Sequence, residues 1–220
     1  MQYINTETGE DDLSEAQVRA AFPNKSFAAS DFPPAPYAQR LDTQQPAFEP
    51  LTQDVVRLPS VFENGVWKQA WGVVAVSVEV AAQRLIDAKE FAWERIKAKR
   101  DFLSDSGGYL VFGKWFHSDA KSKTQQLGLL RQADRIQATG GDMSAPFVGP
   151  GPGGVLYWKT MDSSFIPMTG TLAQAIFAAA EAQDMALFAV AEEHKAAMEA
   201  SADPVAYDFS AGWPDTFLKG

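Results

Sequence analysis

Alternating apolar and polar residues predict a β-hairpin over residues 51–77. Apolar runs stand on both sides of Asn64-Gly65, a pair that favours a type I′ turn because both residues tolerate positive φ. Trp67 and Trp71 are separated by an even number of residues, so both face the same side of the returning strand. Pro59 has no N–H to donate, which predicts an edge strand or a bulge.

A period of three to four residues predicts three helices farther along the chain. The first begins at Ser77, a favourable N-cap residue, and runs to about Leu103. The second covers Lys121–Gln137. The third opens with the pattern of a capping box at Thr171–Gln174 and continues through many alanines to Ala202. The small alanine side chains allow another helix to approach closely.

Two short hairpins are predicted between these helices. In the first, residues 108–119, an apolar run turns at Phe112 and Gly113. A phenylalanine at the first turn position disfavours type I′ and favours a type II turn with Gly113 at positive φ. The hairpin ends in His117-Ser118-Asp119, which is typical of a helix N-cap. The second hairpin is predicted over residues 155–168.

Residues 1–50 combine prolines with aromatic side chains. Proline removes a backbone donor and fixes φ, so this segment is expected to form neither a central strand nor a long helix. Phe27, Phe32 and Tyr37 lie among the prolines and indicate an extended arm that docks on a protein surface. A flexible linker is the alternative.

These patterns predict an α+β fold, with a helix–hairpin–helix–hairpin–helix domain preceded by an extended arm and a β-hairpin. The aromatic tail, which contains Trp213 and Phe217, shows no periodicity and is expected to dock on a surface. The predicted boundaries are residues 1–50 for the arm, 51–77 for the first hairpin, 78–203 for the α+β domain and 204–220 for the tail.

Composition narrows the classes of partner. The 220 residues are 46% hydrophobic and 21% charged, which is ordinary for a folded protein. A net charge of -9 argues against nucleic acid as a partner and against anionic membranes. Cysteine is absent, and no apolar stretch reaches the roughly 18 residues of a membrane helix. The first residues have no basic start or apolar run, so we expect synthesis in the cytoplasm without a secretion signal or membrane insertion.

No catalytic, cofactor or metal motif is predicted. Gly108–Lys114 has the letter spacing of a phosphate-binding loop, but Trp115 stands where that loop needs Ser or Thr. The two histidines, His117 and His194, are not spaced as a metal pair. His117, Ser118 and Asp119 are neighbours in the chain and are therefore unable to converge as a catalytic triad, so a helix cap is the preferred interpretation.

The segment from about Ala88 to Ser201 resembles a phage-tail-associated domain family of unknown function. The resemblance lies in the order of features: a helix closed by residues 98–101, an apolar-Gly-x-x-Phe-x-Ser-Asp hairpin, a second helix, a Trp-containing strand and an alanine-rich helix with His194 near its end. The residues that match the family motif are Gly113, Phe116, Ser118, Asp119, Ser122, Gln125 and Trp158.

Residues 3–27 are similar to a leader that often precedes this domain in tail and tail-fibre proteins. Relatives usually carry Asn-Gly at the first hairpin turn, whereas this chain has Phe112 and Gly113. The family has no established enzymatic activity, so the resemblance implies a phage tail as the setting and no particular chemistry.

The resemblance implies a structural component of a bacteriophage tail, located in the virion at the tail tip, baseplate or fibre. It would be made in the cytoplasm of the bacterial host and would bind other phage tail proteins. The candidate interaction residues are the aromatic side chains named above: Phe27, Phe32, Tyr37, Trp67, Trp71, Trp213 and Phe217. The long first helix and the alanine-rich last helix indicate a homo-oligomer, with a trimer favoured.

Two alternatives remain open. In the first, the chain is a tail-fibre assembly chaperone that is absent from the mature virion. In the second, it is a tip module that binds a receptor or a host surface glycan. For the glycan, the candidate stacking platforms are the tryptophans Trp67, Trp71, Trp115 and Trp158.

Overall fold

In the computed structural model, residues 1–217 are described and contain four α-helices and eight β-strands. Contacts between Cα atoms divide the chain into two units, one covering Met1–Leu85 and the other beginning at Ile86. In chain order the elements are β1 (Gln2–Asn5), α1 (Glu15–Ala20), β2 (Tyr37–Leu41), β3 (Gln53–Glu63), β4 (Val66–Ala75), α2 (Val78–Ser106), β5 (Tyr109–Val111), β6 (Lys114–Phe116), α3 (Ala120–Ala138), β7 (Tyr157–Lys159), β8 (Phe165–Pro167) and α4 (Gly170–Glu199).

The first unit is built on a mixed four-stranded sheet of order β1-β2-β4-β3. β1 and β2 are antiparallel, as are β3 and β4, whereas β2 runs parallel to β4. Asn64 and Gly65 have φ values of 50° and 80°, which confirms the predicted turn between β3 and β4. Pro59 lies in the edge strand β3, where the register shifts between Leu58 and Val61.

The predicted architecture is wrong, although the coarser α+β class matches the structure. Residues 1–50 are not an extended arm, because they contribute β1, α1 and β2 to the four-stranded sheet and its core. In the second unit the hairpins β5–β6 and β7–β8 have only three residues per strand and do not form alternating layers with the helices. The core there consists of one cluster between the long helices α2 and α4 and a second that includes residues of the hairpins and loops.

The aromatic residues of the N-terminal segment pack within their own unit. Tyr3 and Val18 are buried, and Phe32 and Tyr37 pack against this core. The rings of Tyr3 and Phe32 meet edge to face with centroids 5.2 Å apart, and Phe27 contacts Phe32 at 6.3 Å. The burial of these rings accounts for the failure of the arm prediction, since aromatic side chains between prolines stabilise a small core here.

Two apolar clusters form the core of the second unit. Phe116 and Ile176 are fully buried in the first cluster, which joins the β5–β6 hairpin to α3 and α4. In the second cluster Ile96 of α2 packs with Leu187 and Ala191 of α4. Buried alanines of α4 are therefore used for packing inside this unit.

The start of α4 differs from its prediction. The N-cap is Thr169, whose hydroxyl accepts a hydrogen bond from the N–H of Leu172 at 3.1 Å. Thr171 instead donates its hydroxyl to the carbonyl of Met143 at 3.2 Å, and Gln174 donates to Gln137 at 2.7 Å. The predicted capping box is thus wrong, because both of its side chains bind residues that are distant in sequence.

The turn between β5 and β6 also differs from its prediction. Phe112 and Gly113 have φ values of 50° and 76°, so both central residues are left-handed, as in a type I′ turn. The expected type II turn is therefore wrong. A phenylalanine in this conformation is strained. Its side chain is 72% exposed, so packing of the ring offsets little of the strain energy.

Phe112→Asn is expected to stabilise the second unit by about 1 kcal/mol, because asparagine tolerates positive φ. Denaturant unfolding monitored by hydrogen exchange of α3 and α4 amides would measure the gain. Leu110→Asn is the matched control, since Leu110 is 53% exposed but lies in strand β5. A loss of stability in Phe112→Asn equal to that of the control would contradict the assignment of strain.

Candidate functional site

The β5–β6 hairpin places the start of α3. Asp119 is its N-cap, and the carboxylate accepts hydrogen bonds from the N–H and the hydroxyl of Ser122 at 3.0 and 2.6 Å. These bonds keep the pKa of Asp119 below its ordinary value. The buried hydroxyl of Ser118 accepts from the N–H of Gly108 at 2.9 Å. The predicted cap is confirmed, and its first residue, His117, is left beside an open cleft.

Buried hydrogen bonds join α3 to the β5–β6 hairpin. Tyr109 donates its hydroxyl to the side-chain oxygen of Gln126, whose amide nitrogen donates to the carbonyl of His117 at 3.0 Å. Burial raises the pKa of Tyr109 above its ordinary value, so the phenol remains a donor. This network fixes the position of α3 relative to the β5–β6 hairpin, and α3 forms one wall of the cleft.

The β7–β8 hairpin forms the opposite wall, and its turn is held by Asp162. The hydroxyl of Thr160, the ammonium of Lys114 and the hydroxyl of Ser164 all donate to this carboxylate. These donors hold the pKa of Asp162 well below its usual range. Lys114, which matched the lysine of a phosphate-binding loop, is therefore engaged in joining the two hairpins.

The Asp162 contacts predict a pH dependence. Since the folded pKa lies below the unfolded value of about 3.9, the contacts stabilise the fold above about pH 4 and are lost as the pH falls toward the folded pKa. An NMR titration should show the Ser164 amide and the Asp162 carboxyl carbon changing together, below the pH at which exposed aspartates titrate. In Asp162→Asn the Ser164 titration should vanish. An ordinary midpoint for Asp162 would contradict the prediction.

Between α3 and β7 lies an open cleft of about 630 Å³. The predicted motif residues Ser122, Gln125 and Trp158 meet here. Ser118 and Asp119 hold the start of α3, Phe116 is buried in the core, and Gly113 lies in the exposed turn between β5 and β6. The complete lining is His117, Ser122, Gln125, Gly128, Leu129, Leu156, Tyr157, Trp158 and Lys159. The indole N–H of Trp158 is buried without an acceptor among the described residues.

The edge of β7 that faces away from β8 has free backbone groups. Met168 donates to the carbonyl of Leu156 and Thr160 donates to that of Ser164, both at 2.9 Å. Because hydrogen-bonded pairs alternate in antiparallel ladders, Trp158 is the bonded residue between them. The N–H and C=O groups of Tyr157 and Lys159 therefore point away from β8, and within residues 1–217 they have no hydrogen-bond partner.

The turn that follows β7 is hydrogen-bonded to β6. Met161 donates its N–H to the carbonyl of Trp115 in β6 at 2.9 Å. After Phe116 the chain turns away through residues 117–119 into α3. β6 is therefore bonded to the turn after β7 at Met161, and it does not pair with Lys159 or Tyr157 of β7.

An apolar hollow of about 520 Å³ adjoins the cleft. Its lining is Pro150, Gly151, Pro152, Leu156, Tyr157 and Phe165. Leu156 and Tyr157 belong to both depressions, so the cleft and the hollow are neighbours. Phe165 is 67% exposed, which is unusual for a ring of this size.

The first unit exposes an apolar sheet face of its own. Residues directly opposite in the β3–β4 register share a face, which places Leu58 with Ala70, Val61 with Lys68, and Asp54 with Val74. We call this the β3–β4 apolar face; its exposed apolar members, each 37–43% exposed, are Leu58, Val61, Val66 and Val74. The face also carries Asp54, Glu63 and Lys68, so it combines exposed apolar side chains with charged ones, as protein interaction surfaces do.

The predicted tryptophan pair lies on the opposite face of β4, which the chain itself covers at Trp71, whereas Phe62 beside Trp67 is 61% exposed. Trp71 donates its indole N–H to the carbonyl of Thr43 at 3.1 Å, and Thr43 donates to the carbonyl of Gln69 at 2.6 Å. Trp67 packs against Phe62 with ring centroids 5.4 Å apart. Of the four tryptophans considered as stacking platforms, only Trp158 lines the cleft.

The two aromatic residues of the tail also pack internally. Trp213 is buried in the cluster between α2 and α4, so it is not available to a partner in the folded chain. Phe217 donates its N–H to the carbonyl of Gly107 at 2.9 Å, and its ring lies 6.4 Å from that of Trp115. The last three residues of the predicted tail, 218–220, lie outside the described residues.

Several residues of the cleft were not predicted as site residues, among them Tyr157, Lys159 and Gly128. Tyr157 and Lys159 were recognised only as strand residues, and Gly128 only as part of a helix. A glycine inside a helix interior is a usable signal, because it costs stability relative to alanine and indicates that space is needed. An ideal Cβ at Gly128 would meet nothing within 4 Å, so the space lies open at this position.

The described residues show no metal centre and no membrane span. Across residues 1–217, no group of three or more His, Asp or Glu side chains is arranged to hold a metal ion. His194 is engaged elsewhere, with Nδ1 2.9 Å from the hydroxyl of Tyr207 and Nε2 2.9 Å from the carbonyl of Ala211. No helix in the described part of the chain is long and apolar enough to cross a membrane.

Long helices, short hairpins and an open cleft define the second unit as a mainly helical domain with a surface groove. Residues 87–211 match the domain of unknown function DUF4376, and since this is more than half of the chain, the protein belongs to that family. The matched range nearly coincides with the segment in which the sequence resemblance was found. No curated protein and no solved structure matches the chain. The link to phage tails stays a prediction.

Proposed function

We propose that this protein is a structural component of a bacteriophage tail, located in the virion at the tail tip, baseplate or fibre, and that it works by docking onto other tail proteins. The order of motifs that resembles phage-tail-associated domains supports the setting. The docking mode rests on one observation, the β3–β4 apolar face, whose valines and leucine remain 37–43% exposed in the folded chain.

The presence or absence of the protein in purified phage particles distinguishes a structural tail component from an assembly chaperone. Mass spectrometry and antibody labelling of purified particles should detect the protein in the tail at a fixed copy number. Absence from purified particles, together with fibre defects when the chain is deleted, would identify an assembly chaperone instead. Self-association as a trimer stays a prediction. The alanines of α4 add no support to it, because those that are buried pack inside their own unit.

Val61→Glu tests the docking face directly. Val61 is 40% exposed, so a carboxylate is tolerated in the free protein but must lose its water in an interface. Incorporation into particles should fall by at least about tenfold, the effect of 1.4 kcal/mol of lost binding. Val78→Glu is the matched control, because Val78 is 81% exposed and begins α2 outside the face. Equal incorporation of both variants would overturn the docking assignment.

A further inference from the structure

We propose that the cleft between α3 and β7 binds an extended, acidic peptide segment of a partner protein, which adds as a strand to the bare edge of β7. This inference deepens the proposed function and rests on it for the nature of the partner. It does not depend on the β3–β4 apolar face, which lies in the other unit.

The backbone of β7 provides the pairing groups. Tyr157 and Lys159 both line the cleft, and their N–H and C=O groups point away from β8 without a partner within residues 1–217. An incoming strand pairs with these groups, on the edge of β7 opposite β8. Strand addition supplies affinity through main-chain hydrogen bonds and selectivity through alternate side chains.

The helical wall leaves room for a second backbone. Gly128 carries no side chain, and the space beyond its Cα is open. Leu129 of α3 and Leu156 beside β7 provide apolar surface for every second side chain of the added strand. The neighbouring hollow, with the exposed ring of Phe165, offers an apolar site beyond the strand edge.

Local charge selects an acidic segment. The ammonium of Lys159 has no ion pair or hydrogen bond within residues 1–217, and His117 lies on the same cleft. Asp119, the N-cap of α3, does not line the cleft. The lining carries one formal charge, the ammonium of Lys159, which favours a segment with carboxylates over a basic one.

The test begins with a displayed library of random heptapeptides selected on the full-length protein. Enrichment of sequences that alternate β-branched and acidic residues is expected. The best peptide is then synthesised with acetylated and amidated ends and titrated against the protein by NMR. The amides of Tyr157 and Lys159 should shift, since they acquire hydrogen bonds.

Backbone pairing is tested with the same peptide methylated on alternate amide nitrogens. Methylation on the edge that faces β7 should weaken binding at least about tenfold, and methylation on the opposite edge should not, because a strand bonds through alternate residues. Equal weakening in both registers, or none, would overturn strand addition.

Two variants test the location. Gly128→Leu should fill the cleft and weaken binding at least about tenfold without loss of stability, because leucine favours the helix more than glycine does. Asp134→Leu introduces the same side chain at an exposed position of α3 outside the cleft and should bind like the wild type. Lys159→Glu should weaken acidic peptides about tenfold, and Lys89→Glu should not.

The outcomes separate this inference from the proposed function. No enrichment from the library, or binding that Gly128→Leu leaves unchanged, overturns the peptide site even if the protein is found in tails. A glycan that shifts the cleft amides and displaces the peptide assigns the cleft to carbohydrate and likewise overturns the inference. Peptide binding by a protein that is absent from particles upholds the site and overturns the tail location.

Discussion

Phe116→Ala is expected to destabilise the second unit by about 4 kcal/mol, the typical cost of removing a fully buried phenylalanine. Phe116 lies at the centre of the cluster that joins the β5–β6 hairpin to α3 and α4, and none of its surface is exposed. Removal of the ring leaves a cavity among Tyr109, Met168 and Ile176, which long helices cannot close without moving as whole bodies.

Hydrogen exchange resolves the effect by unit. Amides of α3 and α4 should exchange much faster in Phe116→Ala, while those of β3 and β4 keep their protection, since they belong to the other unit. Phe102→Ala is the control, because Phe102 is 56% exposed and its loss should cost less than about 1 kcal/mol. Similar losses for the two variants would contradict the assigned core.

Arg40→Met is expected to destabilise the first unit by about 3 kcal/mol, the lower end of the cost of breaking a buried ion pair. The Arg40 side chain is only 3% exposed and lies against three aspartates, Asp11, Asp12 and Asp42. It also donates to the side-chain oxygen of Gln69 at 2.7 Å. Without the guanidinium, Asp11, which is 18% exposed, is left partly buried without its strongest partner.

The cost stays at the lower end because Asp12 and Asp42 are 48% and 74% exposed and water can hydrate them. Exchange of β1 and β2 amides is the measurement. Arg40→Lys keeps the charge but loses the fork of donors, and it should fall between the wild type and Arg40→Met. Arg19→Met is the surface control, since its pair with Glu15 is exposed on both sides and should matter by less than about 1 kcal/mol.

Features with a local cause were predictable from the sequence. The turn at Asn64-Gly65 follows from the backbone preferences of two adjacent residues. The cap at Asp119 follows from a short polar side chain placed before an apolar helical period. The bulge at Pro59 follows from the missing N–H.

Features that join distant segments were not predictable in this way. β2 pairs in parallel with β4, with Arg40 opposite Trp67, and no periodicity within either segment encodes that partner. The prediction of an extended arm over residues 1–50 was wrong for the same reason, since its aromatic rings contact residues that are distant in sequence. Thr171 lost its capping role to a contact with Met143, which is 28 residues away.

The cleft divides along the same line. Ser122 and Gln125 lie three residues apart on α3, so their common face is visible in the sequence. The bare edge of β7 is not visible there, because it depends on which distant segments pair with β7. Only β8 pairs with this strand among the described residues, while Met161 in the turn after it bonds to Trp115.

The bulge at Pro59 has a consequence for the solubility of the chain. β3 is an edge strand of 11 residues that includes Val55, Val56, Leu58, Val61 and Phe62, and an uninterrupted edge of that length is a template for pairing with another chain. The register shift breaks the regular row of donors and acceptors at its middle, and proline withholds one donor outright. The interruption therefore opposes aggregation of the chain through this edge.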